Sequence, residues 1–172
     1  MKKKLLVAAA TLGLAMGIAT AASAQSLQSL SFLTSLKTLK QVSSNAETAT
    51  TINARALRDF KRNYPGVNGE KWYAIQDGFM ATFSKENVQE LAFYSKSGFW
   101  QCTIMYYGEK GLPDEVKERV KKAYYNYSIN GVEEIRTVEQ TYYMIHVQDE
   151  STEKKLMVTD GEMRVVEDLS KS

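Results

Sequence analysis

From Thr51 onward the chain runs through one order of periodicities twice, and this limits its fold more than any other feature. In the first pass Ile52, Ala56, Leu57, Phe60 and Tyr64 fall at helical spacing, with Arg58, Lys61 and Arg62 toward the C-terminal end, where cations suit the helix dipole. Pro65-Gly66 stops that helix. Strand-like runs follow at 71–76, 79–84, 88–95 and 99–107, with Asp77-Gly78 and Ser97-Gly98 as turns. The second pass opens on Leu112-Pro113-Asp114-Glu115, with proline and acids in the first turn of a helix. Val116, Val120, Ala123, Tyr124 and Tyr127 form its apolar face, Lys117, Glu118, Arg119, Lys121 and Lys122 its solvated one, and Asn130-Gly131 breaks it. Strands are predicted at 132–138, 141–148, 154–159 and 162–167, with Asp160-Gly161 as the last turn. At an offset of 63 residues (126 − 63) Asn63-Tyr64 falls on Asn126-Tyr127, Leu57 and Phe60 on Val120 and Ala123, Phe79 and Phe83 on Tyr142 and His146, and Gly98 on Gly161. The expected fold is α+β: a tandem repeat of a helix followed by antiparallel strands, about 51–107 and 112–168, with the helices on one face of the sheet. Residues 51–172 then form a single domain.

The first 50 residues read differently. Lys2, Lys3 and Lys4 precede an uncharged apolar stretch at 5–20, and Ala22-Ser23-Ala24 supplies small residues before Gln25. This three-part pattern predicts a secretory signal at 1–24, cleaved after Ala24, rather than a membrane anchor, which needs about 20 apolar residues in a row. No cysteine follows the cut, so no lipoprotein anchor is expected, and no later segment is apolar enough to span a bilayer. The expected location is periplasmic or secreted. Leu27, Leu30, Leu33, Leu36, Leu39 and Val42 recur every third residue and wind off a single helical face, so 25–50 reads as a tether or a short helix.

Charge excludes one class of partner. The chain has 22 Lys+Arg and 20 Asp+Glu; removing Lys2, Lys3 and Lys4 leaves 19 against 20, or −1. A near-neutral domain lacks the concentrated basic surface that nucleic acid requires. Cys102 is the single cysteine and lies in an apolar run, so it reads as a core residue and the fold stands without an internal disulfide.

Catalytic patterns are not found. His146, the single histidine, shares a strand face with Tyr142 and Met144 and reads as a packed or half-exposed sheet residue. One His and one Cys at unrelated positions do not make a zinc site. There is no Gly-x-Ser-x-Gly elbow and no glycine-rich phosphate loop. Acids sit on the second helix, in turns, and at Glu133-Glu134, all read as solvated positions. No cofactor is implied.

Aromatic residues are the unusual feature: two Trp, ten Tyr and six Phe, mostly on predicted strands. Adjacent pairs such as Trp72-Tyr73, Phe99-Trp100, Tyr106-Tyr107 and Tyr142-Tyr143 place one ring on each face. If helices cover one face, the other presents rings to solvent. Two readings stay open: core and cross-strand pairs, or a binding surface carried by Trp72, Trp100, Tyr106, Tyr107, Tyr142 and Tyr143.

Several of these features resemble one family. Phe60 to Pro65 ending the first helix, Trp72 after it, Phe79-Met80-Ala81-Thr82-Phe83, Gly98-Phe99-Trp100, Leu112-Pro113 and Tyr142-Tyr143-Met144-Ile145 are similar, in order and spacing, to the exported PepSY-like proteins of Bacteroidetes, also described as β-lactamase-inhibitor-like. The resemblance covers about residues 54–167. It implies tandem helix-plus-sheet units, export and no known enzymatic activity. The expectation is an exported, non-enzymatic binding module that recognises an envelope protein or peptide through an aromatic-rich sheet face, with inhibition as one form of that binding; the alternative is a small-ligand or lipid-binding protein.

Overall fold

The computed structural model describes residues 47–48 and 51–170. The signal assigned to 1–24 and most of the segment 25–50 lie outside them. Within 25–50, Glu47–Thr48 form a short strand, β1.

Eleven regular elements follow one another along the described chain: β1, helix α1 (Ala54–Asn63), β2 (Lys71–Ile75), β3 (Gly78–Lys85), β4 (Val88–Ser95), β5 (Trp100–Tyr107), helix α2 (Asp114–Ala123), β6 (Ser128–Thr137), β7 (Thr141–Gln148), β8 (Thr152–Val158) and β9 (Met163–Ser170). One 3-10 turn, Glu109–Gly111, leads into α2. The strands make a single sheet in chain order, and every neighbouring pair is antiparallel. Each helix is followed by four strands joined by short turns, which antiparallel neighbours allow.

Register decides what each face carries, because directly paired residues point the same way. One row runs Trp72, Ala81, Ala92, Thr103, Arg136. The next runs Phe83, Glu90, Met105, Glu134, Tyr143, Val158. Both rows lie on the helix-bearing face. There α1 sets Ala56 and Phe60 against Trp72, Ala81, Phe83, Ala92 and Tyr94. Further along, Val120 of α2 and Leu112 before it pack with Val132, Ile145, Val147, Leu156 and Val158. The second face carries Met80, Phe93 and Cys102 in one cross-strand row and Ile104, Ile135 and Tyr142 in another. All six are buried.

Strands 88–95 and 141–148 form as predicted, and the chain departs from expectation at α2 and β6. The helix ends at Ala123, where the Tyr124 amide bonds the Val120 carbonyl, instead of running on to Tyr127. Asn130-Gly131 does not break a helix: it lies inside β6, where the register shifts between Ile129 and Gly131. A bulge absorbs the extra residue without ending the strand. Because β6 starts four residues before the predicted 132, Glu133 and Glu134 sit mid-strand and are buried, not solvated.

Candidate binding surface

The six aromatic residues expected to share a solvent face are divided by the sheet. Trp72 is buried beneath α1, 5.4 Å from the Phe60 ring and 5.6 Å from Tyr94. Trp100, Tyr107 and Tyr143 are half-buried on the same helix-bearing side. Tyr106 and Tyr142 point to the second face, Tyr106 half-buried and Tyr142 buried. The doubled aromatics do alternate, as pleating requires. They do not produce an exposed aromatic face, because the second face packs its rings among Met, Ile and Phe.

What the structure brings together is a polar seam between the two apolar clusters. Thr103 Oγ1, on the central strand β5, meets Tyr64 Oη at 2.5 Å and accepts from Trp100 Nε1 at 2.9 Å. Beside it on β6, Arg136 Nε donates to Glu134 Oε1 at 2.7 Å. Tyr107 Oη donates to the other oxygen of Glu134 at 2.5 Å. Tyr143 is the cross-strand neighbour of Glu134. Glu134 is 6% exposed, whereas the Arg136 side chain is 56% exposed, so a buried carboxylate is compensated by a guanidinium that reaches solvent. Glu90 completes the seam: it is 7% exposed, and burial raises its carboxyl above the usual range, with Lys85 and Arg136 pulling the other way. Burial likewise raises the Tyr107 hydroxyl, helped by its bond to Glu134, and the Tyr143 hydroxyl, helped by the same carboxylate. A buried charge that is hydrogen-bonded on both oxygens is fixed in place, so the seam offers oriented hydroxyls and a cation rather than a reactive group.

His146 lies on the second face, half-buried, with Nε2 3.7 Å from Glu133 and Nδ1 3.8 Å from Glu153. Lys155 Nζ is 3.7 Å from the same Glu133 oxygen. These distances are ion-pair contacts beyond hydrogen-bonding range. Among the described residues no group of three His, Cys, Asp or Glu could hold a metal ion. Cys102 is buried, and burial pushes its thiol up to about 12, the state of an inert core cysteine. No described helix is long and apolar enough to cross a membrane.

One surface feature was not anticipated from the sequence. The Ser97-Gly98 turn clasps the start of α1: Asn53 Oδ1 accepts from the Arg55 amide at 2.9 Å and Asn53 Nδ2 donates to the Lys96 carbonyl at 3.0 Å. Gly98 has φ +82°, and a Cβ there would stand 2.6 Å from Asn53 Oδ1. The clasp leaves Phe99 58% exposed, with the Arg55 guanidinium 4.3 Å from its ring centre.

No protein-family model matches the chain, and no curated protein matches it. Solved structures do. A BLIP-like protein from Bacteroides fragilis superposes with TM-score 0.58 at 14% identity, over 71% of this chain and 88% of that one. A DUF2874 family protein from Bacteroides ovatus gives 0.57 at 19% identity, over 71% and 89%. A protein inferred to be periplasmic, from Bacteroides eggerthii, gives 0.55 at 16%, over 70% and 89%. At these identities the likeness speaks for architecture, and the chain has the fold of these BLIP-like and DUF2874 proteins of Bacteroides.

Proposed function

We propose that this chain is an exported, non-enzymatic module that binds a protein or peptide through the seam on its helix-bearing face. The carrying observation is the strip formed by Trp100, Tyr107 and Tyr143 around the Glu134–Arg136 pair. Half-buried rings, with Tyr107 and Trp100 held by hydrogen bonds, beside a solvent-reaching arginine are the residue types that anchor protein interfaces. The inferred periplasmic location of one structural neighbour supports export, as does the three-part N-terminal pattern. The BLIP-like name of another supports protein binding without naming a partner.

The two halves are read as a tandem duplication. The helix caps support this: Tyr64 has φ −123° and ψ 60°, Tyr124 φ −126° and ψ 54°, and each amide returns to the carbonyl four residues back. β3 and β7 start 63 residues apart (141 − 78), as do β5 and β9 (163 − 100), but the caps lie only 60 apart (124 − 64), so Phe60 corresponds to Val120 rather than to Ala123.

The test is crosslinking capture from the native envelope with the mature protein, run beside Trp100→Ala and Arg136→Gln. One enriched protein, lost in both folded variants, is the expected result. Equal capture by both variants removes the seam as the site. No capture by a folded bait, with an apolar molecule copurifying in native mass spectrometry, replaces this reading by small-ligand carriage.

A further inference from the structure

We infer that the outer side of α1, together with Phe99, is a second docking surface, and that its occupant is an acidic polypeptide segment carrying apolar side chains. This surface adjoins the seam at Trp100 but is argued from the residues of α1 and from Phe99. Arg55, Arg58, Lys61 and Arg62 border an open cleft of about 660 Å³ together with Asp59, Phe99 and Trp100. All four cations are exposed. Asp59 neutralises Arg62 at 2.6 Å and also accepts from Asn63 at 2.9 Å. Among the described residues no acid pairs with Arg58 or Lys61, and Arg55 lies on the Phe99 ring. Among the described residues the cleft therefore gathers four cations around one acid, Asp59, which is bonded to Arg62.

Stability alone does not explain this arrangement. The first turn of α1 contains no acid and instead holds Arg55, a cation at the positive end of the helix dipole, where it is unfavourable. The corresponding helix is built the other way. Asp114 and Glu115 occupy the first turn of α2, and Lys117, Arg119 and Lys121 pair with Asp114, Glu115 and Glu109 at 2.8, 3.3 and 3.2 Å. Arg119 also donates to the Thr159 and Asp160 carbonyls of the β8–β9 turn, at 2.7 and 3.3 Å. In the first half the equivalent turn takes positive φ at Gly98 and presses onto Asn53, and Phe99 stands exposed beside Arg55. Local rules broken together at one place mark a site selected for something other than folding.

The chemistry of the cleft selects its occupant. Guanidinium groups take carboxylates bidentately, and an exposed ring with a cation on one side takes an apolar side chain on its free edge. The open shape and the exposed ring suit an extended chain segment better than a small anion, which would need enclosing donors.

The experiment measures fluorescence anisotropy of a short labelled peptide of alternating Glu and Leu, with its Gln–Leu counterpart, on the mature protein. The expected result is binding of the acidic peptide only, weakening steeply with salt. Arg58→Glu with Lys61→Glu should weaken it at least about tenfold, and Phe99→Ser by about threefold or more. Lys122→Glu on α2 and Arg136→Gln in the seam should leave it unchanged, which separates this site from the seam. These positions are exposed, and circular dichroism checks that each variant is folded. Absence of binding at low salt overturns the proposal. So does equal binding by the Arg58→Glu, Lys61→Glu protein, or binding of the Gln–Leu peptide, of heparin or of anionic vesicles as tight as that of the acidic peptide.

Discussion

The two halves of the sheet support their helices with different materials. In the first, Phe60 sits 4.9 Å from Tyr64, 5.4 Å from Trp72 and 4.9 Å from Phe83, so the helix is seated on rings. In the second, Val120 sits among aliphatic side chains, with Tyr124 and Tyr127 at the margin. Rings bury more area and hold each other in edge-to-face geometry, whereas branched aliphatics fill space with less directional constraint. The aromatic half is also the half whose helix borders the arginine-lined cleft beside Phe99.

The largest effect that separates the halves is at the helix anchors. Phe60→Ala should lower unfolding free energy by about 3–5 kcal/mol, and Val120→Ala by about 1–3 kcal/mol. Urea titration by circular dichroism measures both. Equal losses would show that the rings contribute no more than aliphatic packing. The next effect lies in two glycines that the sequence pairs. Gly98→Ala places a side chain at φ +82° against Asn53 and the Ala56 amide, and should cost about 1–3 kcal/mol. Around Gly161 nothing lies within 4 Å and φ is not positive, so Gly161→Ala should stay within about 0.5 kcal/mol. A loss at Gly98 confined to stability, with the acidic peptide still bound, would show that the clasp is not needed to display Phe99.

Much of this architecture is legible in the residues, and the failures have physical causes. Runs of apolar and aromatic residues locate β3, β4 and β7, with Asp77-Gly78 marking the start of β3, because an antiparallel strand in a packed sheet requires such a run. The end of α2 is not legible. Tyr127 falls at helical spacing, yet it leaves the helix and its hydroxyl meets Thr152 Oγ1 at 2.7 Å, a contact 25 residues away. The gap-free alignment of the halves misplaces the helices by three residues for a related reason. A three-residue shift turns a helix by only about 60°, so its apolar face survives the error. The seam was half-visible: Trp100, Tyr107 and Tyr143 stand out as aromatics, but Glu90, Thr103 and Glu134 look like ordinary polar strand residues. Only the pairing of β5 with β6 makes them neighbours. Phe99 beside Arg55 needed the positive φ of Gly98, which no periodicity signals.

The turns that lead into the third strand of each half complete the comparison and give smaller effects. Between β3 and β4, Glu86 and Asn87 both have positive φ, 52° and 66°, the backbone of a two-residue turn matched to strand twist. Glutamate is poorly suited to that region, so Glu86→Asn should stabilise by about 0.5–1 kcal/mol, read as a higher urea midpoint. Between β7 and β8 the chain spends no strained residue. Asp149 holds the turn with its carboxylate, accepting from the Ser151 and Thr152 amides at 2.9 and 2.7 Å. Those backbone bonds, with the Thr152 hydroxyl, lower its pKa to about 2 from 3.8. A carboxyl whose folded pKa is depressed contributes stability that is complete above the unfolded value and is lost as pH falls through the folded one. The contribution of Asp149 should therefore be constant above about pH 4–5 and disappear by about pH 2. Asp149→Asn keeps an acceptor and removes the charge. Its melting temperature should lie below that of the parent at neutral pH, and the gap should close between about pH 4 and 2. A gap that persists unchanged to pH 2 would mean that the turn depends on carboxyl shape rather than charge. In that case both turns would be held by backbone geometry, and the contrast between them would be lost.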